Sequence, residues 1–337
     1  MKIGFFFWPF TVELTETMAR HADTYGYDMI GIADTPGNAM DPWVAGALVA
    51  RANRTSEIAM CVSNFVTRLP AVSAAAIASL DLLAPGRCVL GIGAGHSGTK
   101  NIGAGKSSAR DMADNIVLTR RLLRGEAVET GTGTAHMPWV KRPSKVFMAS
   151  SHPRGLNAAG RVADGVFVNY GLQPEHVAAS EALVAAGARE AGRSPDEAEI
   201  WQIAAMDCTE DGDHARQQIG AILAFVSGYI VAGKDPASRG VPPEHRAGVG
   251  ELLRRYSTRP GPQDIALVRE LGLFDYLSRR FSVCGTPDEC FAQAMAARAA
   301  GVERLMFSVS VAVDPAEAVR RFGEEVLPRI RAAIASP

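Results

Sequence analysis

Short apolar runs alternate with longer segments whose apolar positions recur every three or four residues, from one end of the chain to the other. The run Lys2–Trp8 predicts a strand, and the segment from about Val12 to Tyr25 an amphipathic helix. The same pair recurs as Asp28–Ala33 with Asp41–Ala52, Glu57–Ser63 with Ala71–Leu83, and Arg87–Ile92 with Asp111–Leu123. It continues as Lys145–Ala149 with a helix from about Arg154 to Val162, and as Gly165–Asn169 with Glu175–Glu190. The last two pairs are Glu199–Asp207 with a helix from about His214, and Arg304–Val309 with Pro315–Ala333. Strands alternating with helices imply a parallel sheet covered by helices. Eight such units in this length predict a (β/α)8 TIM barrel rather than an open doubly wound sheet. One long irregular insertion, roughly Ser227 to Val283, falls between strands seven and eight. No Pro/Ser-rich linker or compositional shift divides the chain, so residues 1–337 read as a single domain.

Composition narrows the function classes. At 337 residues the chain can bury a full core, and its net charge of −1 suggests neither nucleic acid nor an anionic membrane as partner. The five cysteines, at 61, 88, 208, 284 and 290, are scattered and lack metal-ligand spacing. They predict reduced thiols in a cytoplasmic protein with no metal site. The opening MKIGFFFWPF is apolar but short and is followed by acidic residues, which predicts a strand rather than a signal peptide. No apolar run approaches the ~20 residues that cross a bilayer.

The stretch LGIGAGHSG, Leu90 to Gly98, matches G-x-G-x-x-G through Gly93, Gly95 and Gly98. A dinucleotide fingerprint needs the third glycine to open a helix. Here Gly98 runs into TKNIGAGKSSAR, which reads as a loop, and the next helix is expected near Asp111. GAGKSS fails as a phosphate loop because the position five before Gly105 is Lys100, not glycine. The remaining reading is a barrel strand whose C-terminal end lets a flat ligand approach the backbone. Other strand ends then carry polar groups toward the same mouth. They are Asp34, Thr35 and Asn38 after strand two, and Ser63, Asn64 and Arg68 after strand three. His96 and Ser97 follow strand four, Ser150, Ser151, His152 and Arg154 follow strand five, and Asn169 and Tyr170 follow strand six. Any one of these suits a helix cap or a surface charge; five successive strand ends on one face are harder to dismiss.

CVSNFVTRLPAVSAAAIASLDLLAPGRCVLGIGAG (Cys61–Gly95) resembles the core of the luciferase-like flavin-dependent oxidoreductases. MKIGFFFWP, VFMASSHPRGLNAAGRVADGV and GTPDECFAQAMAARAAGVERLMF resemble the same family, in the branch that uses the deazaflavin coenzyme F-420. The resemblance runs from the first strand to the last helix, outside the insertion. It implies a (β/α)8 barrel in which the cofactor supplies the hydride chemistry while the protein positions it and moves protons. No Ser-His-Asp set or paired-carboxylate motif competes with that reading. The implied activity is F-420-dependent hydride transfer to or from a small organic substrate. The alternatives are an FMN-dependent monooxygenase using molecular oxygen, and a non-catalytic flavin- or ligand-binding barrel.

By the same resemblance, a non-proline cis peptide bond falls at Cys61–Val62, against the central ring of the cofactor. Cys61, Val62, Ser63, Asn64, Gly93, Ala94, Gly95, Ser150, Ser151 and His152 are the implied cofactor-contact residues. Asp34, Thr35 and His96 are the implied catalytic set. The family often has histidine where this chain has Thr35, and commonly an acid where it has His96, which is expected to donate or accept a proton near neutral pH. Amides after strand five are expected to hold the cofactor phosphate at a helix N-terminus. Association into a homodimer or a larger homo-oligomer is expected through outer helices.

Overall fold

Eight parallel strands close on themselves in the computed structural model, which describes residues 1–131, 133–230, 235–259, 262–309, 312 and 314–335. They are β1 (Lys2–Phe7), β2 (Met29–Ile32), β3 (Glu57–Ser63), β4 (Cys88–Ile92), β5 (Lys145–Ser150), β6 (Gly165–Val168), β7 (Glu199–Cys208) and β8 (Arg304–Ser308). Each pairs with the next, and β8 returns to pair with β1, setting Phe5 opposite Phe307. The expected (β/α)8 barrel is the fold.

Local chemistry explains where the covering helices begin. In α1 (Val12–Tyr25), the Thr11 side chain accepts from the Leu14 amide, and Gly26 stops the helix at φ 72°. Asp41 caps α2 (Pro42–Ala52), whose proline occupies the first turn, where no amide donor is needed. Proline likewise opens α3 (Pro70–Leu83), α5 (Pro153–Val162) and α6 (Pro174–Glu190). Ser108 and Asp111 form a capping box at the head of α4 (Ala109–Leu123).

The barrel interior is packed rather than open. Met29, Val89, Phe147, Phe167, Trp201 and Met306 fill it, each 0% exposed. Each large apolar side chain so buried contributes about 1.5–3 kcal/mol. Small residues make room for them: a Cβ on Gly91 would lie 2.3 Å from the Met60 carbonyl oxygen.

The insertion departs from expectation. It is not irregular: it contains the helices Arg246–Arg255, Pro262–Glu270 and Phe274–Phe281, then the strand Ser282–Gly285. That strand pairs in parallel with the C-terminal end of β7. Positions 231–234 and 260–261 of the insertion lie outside the described residues. The helix Gly220–Ile230 precedes it, and Leu223, Val249, Leu252, Val268 and Leu277 build a second small core over Ala205 of β7. Fully buried Arg280 ties this assembly to the barrel. Its guanidinium donates to the carbonyls of Tyr170 (2.9 Å) and Arg239 (2.7 Å) and to the Tyr276 hydroxyl (2.6 Å). No carboxylate pairs with it among the described residues; carbonyl dipoles and neighbouring rings surround this cation.

Candidate active site

At the C-terminal mouth of the barrel the β3–β4 ladder shifts register between Met60 and Ser63, and the Cys61–Val62 peptide bond is cis. The ladder resumes where the Gly93 amide donates to the Ser63 carbonyl at 2.8 Å. Gly93 sits so close to this bulge that a Cβ would lie 2.7 Å from Val62 Cγ2. Gly95 has φ +80°, and its Cβ would lie 2.5 Å from Thr99 Cγ2. Ser97–Lys100 forms a single helical turn, so the loop expected after Gly98 is partly helical. Gly98 itself lies inside that turn, close to Asp34: a Cβ there would be 2.5 Å from the Asp34 carbonyl oxygen. The third glycine is therefore a close-packing residue, not the opening of a long phosphate-binding helix.

Around this backbone lies a cleft with about 1010 Å³ of open space between its walls. Asp34, Thr35, Cys61, Val62, Ser63, Asn64, Gly93, Ala94, Gly95, His96 and Ser150 all line it, as do Ser97 and Asn169. The capping explanation fails for Asp34 and Ser63. Asp34 accepts a 2.7 Å hydrogen bond from the Ser63 hydroxyl, and Asp41 and Leu69 occupy the cap positions instead. Burial raises the Asp34 pKa, an effect opposed by the Ser63 hydrogen bond and the Arg68 charge. The Thr35 and Ser97 hydroxyls lie 3.4 Å apart.

His96 Nε2 lies 2.8 Å from the Tyr256 hydroxyl, and its ring meets Phe225 edge-on at 5.6 Å. Burial, reinforced by Lys100 and Lys106, lowers its pKa to about 4. At pH 7 it is therefore a neutral imidazole, and a weaker base than a free histidine. Tyr256 is itself pushed up by burial.

A second cleft adjoins the first and shares Ala94, Ala149 and Ser150 with it. Lys106, Ser107, His152, Arg154, Gly155 and Arg239 line it beside the N-terminus of α5. The His152 amide donates to Ser150 Oγ at 3.1 Å, and Arg239 Nη1 donates to the Ser151 carbonyl at 3.3 Å. Burial, with Arg239 and Lys106 nearby, lowers the His152 pKa to about 4, so this residue is neutral at pH 7. Ser151 is 0% exposed and lines neither cleft. Asn38, Arg68 and Tyr170 also stay outside both clefts. Asn38 accepts from Asn101, Arg68 pairs with Asp41, and the Tyr170 carbonyl serves Arg280.

Several lining residues carry no sequence signal. Trp8 follows β1 in an apolar run, while Phe225 and Arg239 reach the clefts, and Tyr256 reaches His96, from about 130 to 160 positions further along the chain. Lys106 and Ser107 did show a signal, as the tail of the failed phosphate-loop pattern. All five cysteines are buried free thiols. Among the described residues no helix is long and apolar enough to cross a membrane.

The family model described as luciferase-like monooxygenase matches residues 10–304. A 5,10-methylenetetrahydromethanopterin reductase from Methanolobus tindarius is 27% identical over 320 residues, covering 92% of this chain and 94% of that protein. An F-420-dependent glucose-6-phosphate dehydrogenase from Nakamurella multipartita is 25% identical, covering 94% of this chain and 92% of that protein. The solved coenzyme F-420-dependent tetrahydromethanopterin reductase of Methanopyrus kandleri superposes with a TM-score of 0.78 at 22% identity. That superposition covers 98% of this chain and 100% of that one, and shows the shared fold.

Proposed function

The chain belongs to the luciferase-like monooxygenase family, and from that premise we propose that it is an oxidoreductase using coenzyme F-420 for hydride transfer to or from a small organic substrate. One observation carries the proposal. A cleft walled by the Cys61–Val62 bulge and by Gly93 and Gly95 shares a wall with a second cleft lined by Lys106, Arg154 and Arg239. The first suits a flat ring laid against bare backbone. The second offers cations and a helix N-terminus to a phosphate. Full-length relatives named for F-420-dependent reactions support deazaflavin over FMN. Residues 1–337 then act as a single domain, with the insertion closing one side of the mouth.

When bound, the deazaflavin supplies a carbon centre that accepts or returns a hydride. The protein's tasks are positioning and proton transfer. Cys61, Val62, Gly93, Ala94 and Gly95 shape the ring wall, and Ser150 joins the two clefts. The Arg154 and Gly155 amides in the first turn of α5 would meet the phosphate, with Arg154 and Arg239 supplying charge. His152 lines the same cleft, and its amide donates to Ser150 Oγ. Asp34 and His96 remain for the proton. Ser63 holds the Asp34 carboxyl in place, and Tyr256 holds Nε2 of His96.

Titration of the purified protein with each cofactor tests this reading. Saturable F-420 binding markedly tighter than FMN binding is the expected result. Tight FMN binding without F-420 affinity moves the assignment to a monooxygenase, and binding of neither removes both.

We also propose that a second copy covers part of the outer helix ring. Leu69 at the head of α3 is 70% exposed, Val44 of α2 59% and Val72 of α3 48%, apolar side chains that a second copy would cover. Light scattering is expected to show a dimer or larger, and Leu69→Glu to shift it toward monomer. A monomeric wild type at high concentration refutes this.

A further inference from the structure

Charge is segregated between the two adjoining clefts. Lys106, Arg154 and Arg239 line the second. No lysine or arginine is among the described residues lining the first, where the acid–base groups are Asp34, His96 and the Cys61 thiol. The cations that bear on His96 stand elsewhere: Lys100 is exposed and Lys106 belongs to the second cleft. Much of the remaining wall is apolar, formed by Trp8, Ile203, Ile222, Phe225 and Val226. The Trp8 and Phe225 rings meet edge-on with centroids 6.0 Å apart. Three of these five side chains come from the helix Gly220–Ile230, so the segment closing the mouth brings them in without a charge.

A phosphate or carboxylate entering this cleft exchanges its water for that wall. It gains no cation from the described wall, and it approaches the Asp34 carboxyl. An unpaired, desolvated ion is far more costly than a neutral polar group in the same place. A neutral oxygen or nitrogen gives up much less and finds hydrogen-bonding groups waiting. Asn64 and Ser97 line the cleft, and Asn169 Oδ1 is buried there without a partner.

We infer that the substrate is uncharged, with an apolar body and one polar group at the reacting carbon: a neutral carbonyl compound or the corresponding alcohol. Anionic substrates such as sugar phosphates and carboxylic acids are excluded by the same wall. The inference rests on the first cleft holding both cofactor ring and substrate. In the oxidising direction the alcohol loses a C–H and an O–H bond and gains the second C–O bond. The hydride passes to oxidised deazaflavin and the proton to a side chain of the cleft; reduction reverses both transfers.

Ligand-observed NMR titration with a matched pair of ketones tests this, using 4-phenylbutan-2-one and its carboxylate analogue 4-(3-oxobutyl)benzoate. The protein is titrated as purified and again after saturation with the deazaflavin, whose own affinity is measured separately. The neutral ketone is expected to bind at least about tenfold more tightly in both states. Phe225→Arg, which puts a cation in the wall, is expected to shrink or reverse that preference. Equal affinities, preference for the carboxylate, or no saturable binding of the neutral ketone at millimolar concentration overturns the inference. Failure of the deazaflavin to bind overturns the cofactor reading instead, and the two failures are read from different titrations.

Discussion

Alanine in place of His96 is expected to lower turnover by roughly 10²–10⁴-fold, the range for a positioned acid or base, while deazaflavin affinity changes by less than about threefold. Apart from the Cys61 thiol, which burial pushes far up, Asp34 and His96 are the acid–base side chains among the described lining residues. The proton that accompanies hydride transfer therefore has two candidate carriers. Burial makes the Asp34 carboxylate a stronger base and the His96 imidazole a weaker one. His96 is placed first on geometry alone, because Tyr256 anchors it at the cleft wall. Its pKa is lowered to about 4, so the working imidazole persists as pH falls and is lost only as pH drops through that value. Wild-type activity should thus survive below the ~6.5 at which an unperturbed histidine titrates. The folding linkage has the matching sign. Between about 6.5 and 4 the unfolded chain takes up a proton at this position that the folded chain refuses, so the group erodes stability as pH falls across that window. Tyr256→Phe keeps the aromatic ring but removes the hydroxyl that meets His96 Nε2, and a loss of about tenfold is expected, carried by kcat rather than by cofactor affinity. Asp34→Asn is the discriminating control, since an amide oxygen still accepts from Ser63. Should Asp34→Asn produce the large loss and His96→Ala a small one, the carboxyl is the carrier and His96 a wall residue.

What could be read in advance follows from the range of the forces involved. Helix α1 and strand β3 were legible to the residue, as Val12–Tyr25 and Glu57–Ser63, because their periodicities and end signals are local. The same holds for the glycines at the mouth, which report close backbone approach within a few positions. The insertion was opaque because its helices bury their apolar faces largely against one another. Its strand Ser282–Gly285, four residues long, exists through pairing with β7, some seventy-five positions away. The lowered pKa of His96 was not legible for a related reason. Its desolvation comes from burial beneath groups such as Phe225 and Tyr256, which no pattern around position 96 announces. Likewise Arg239 becomes a cleft residue because the neighbouring backbone is pinned by buried Arg280, whose carbonyl partners cannot be guessed from its sequence context.

Valine at Gly93 is expected to weaken deazaflavin binding by roughly 10²-fold, about 2.7 kcal/mol, with a small loss of melting temperature. A Cβ there would meet Val62 Cγ2 at 2.7 Å, so the Val62 side chain, stiff because it is β-branched, must give way. Both residues line the cleft, so the added bulk falls on its wall. Gly95→Val is expected to behave differently. Its φ of +80° disfavours any side chain, at ~1–2 kcal/mol, and its Cβ would meet Thr99 Cγ2 at 2.5 Å. That variant should lose cofactor affinity together with a few degrees of thermal stability, because the turn at Ser97–Lys100 must move. Thr99→Ala added to it would relieve the contact but not the φ, so stability should recover only in part. The contrast decides why glycine stands at the mouth. If Gly93→Val binds the cofactor as wild type does, the bare backbone at the Cys61–Val62 bulge is there for packing alone. If affinity falls while the fold holds, Gly93 keeps that wall flat for a ring to lie against it.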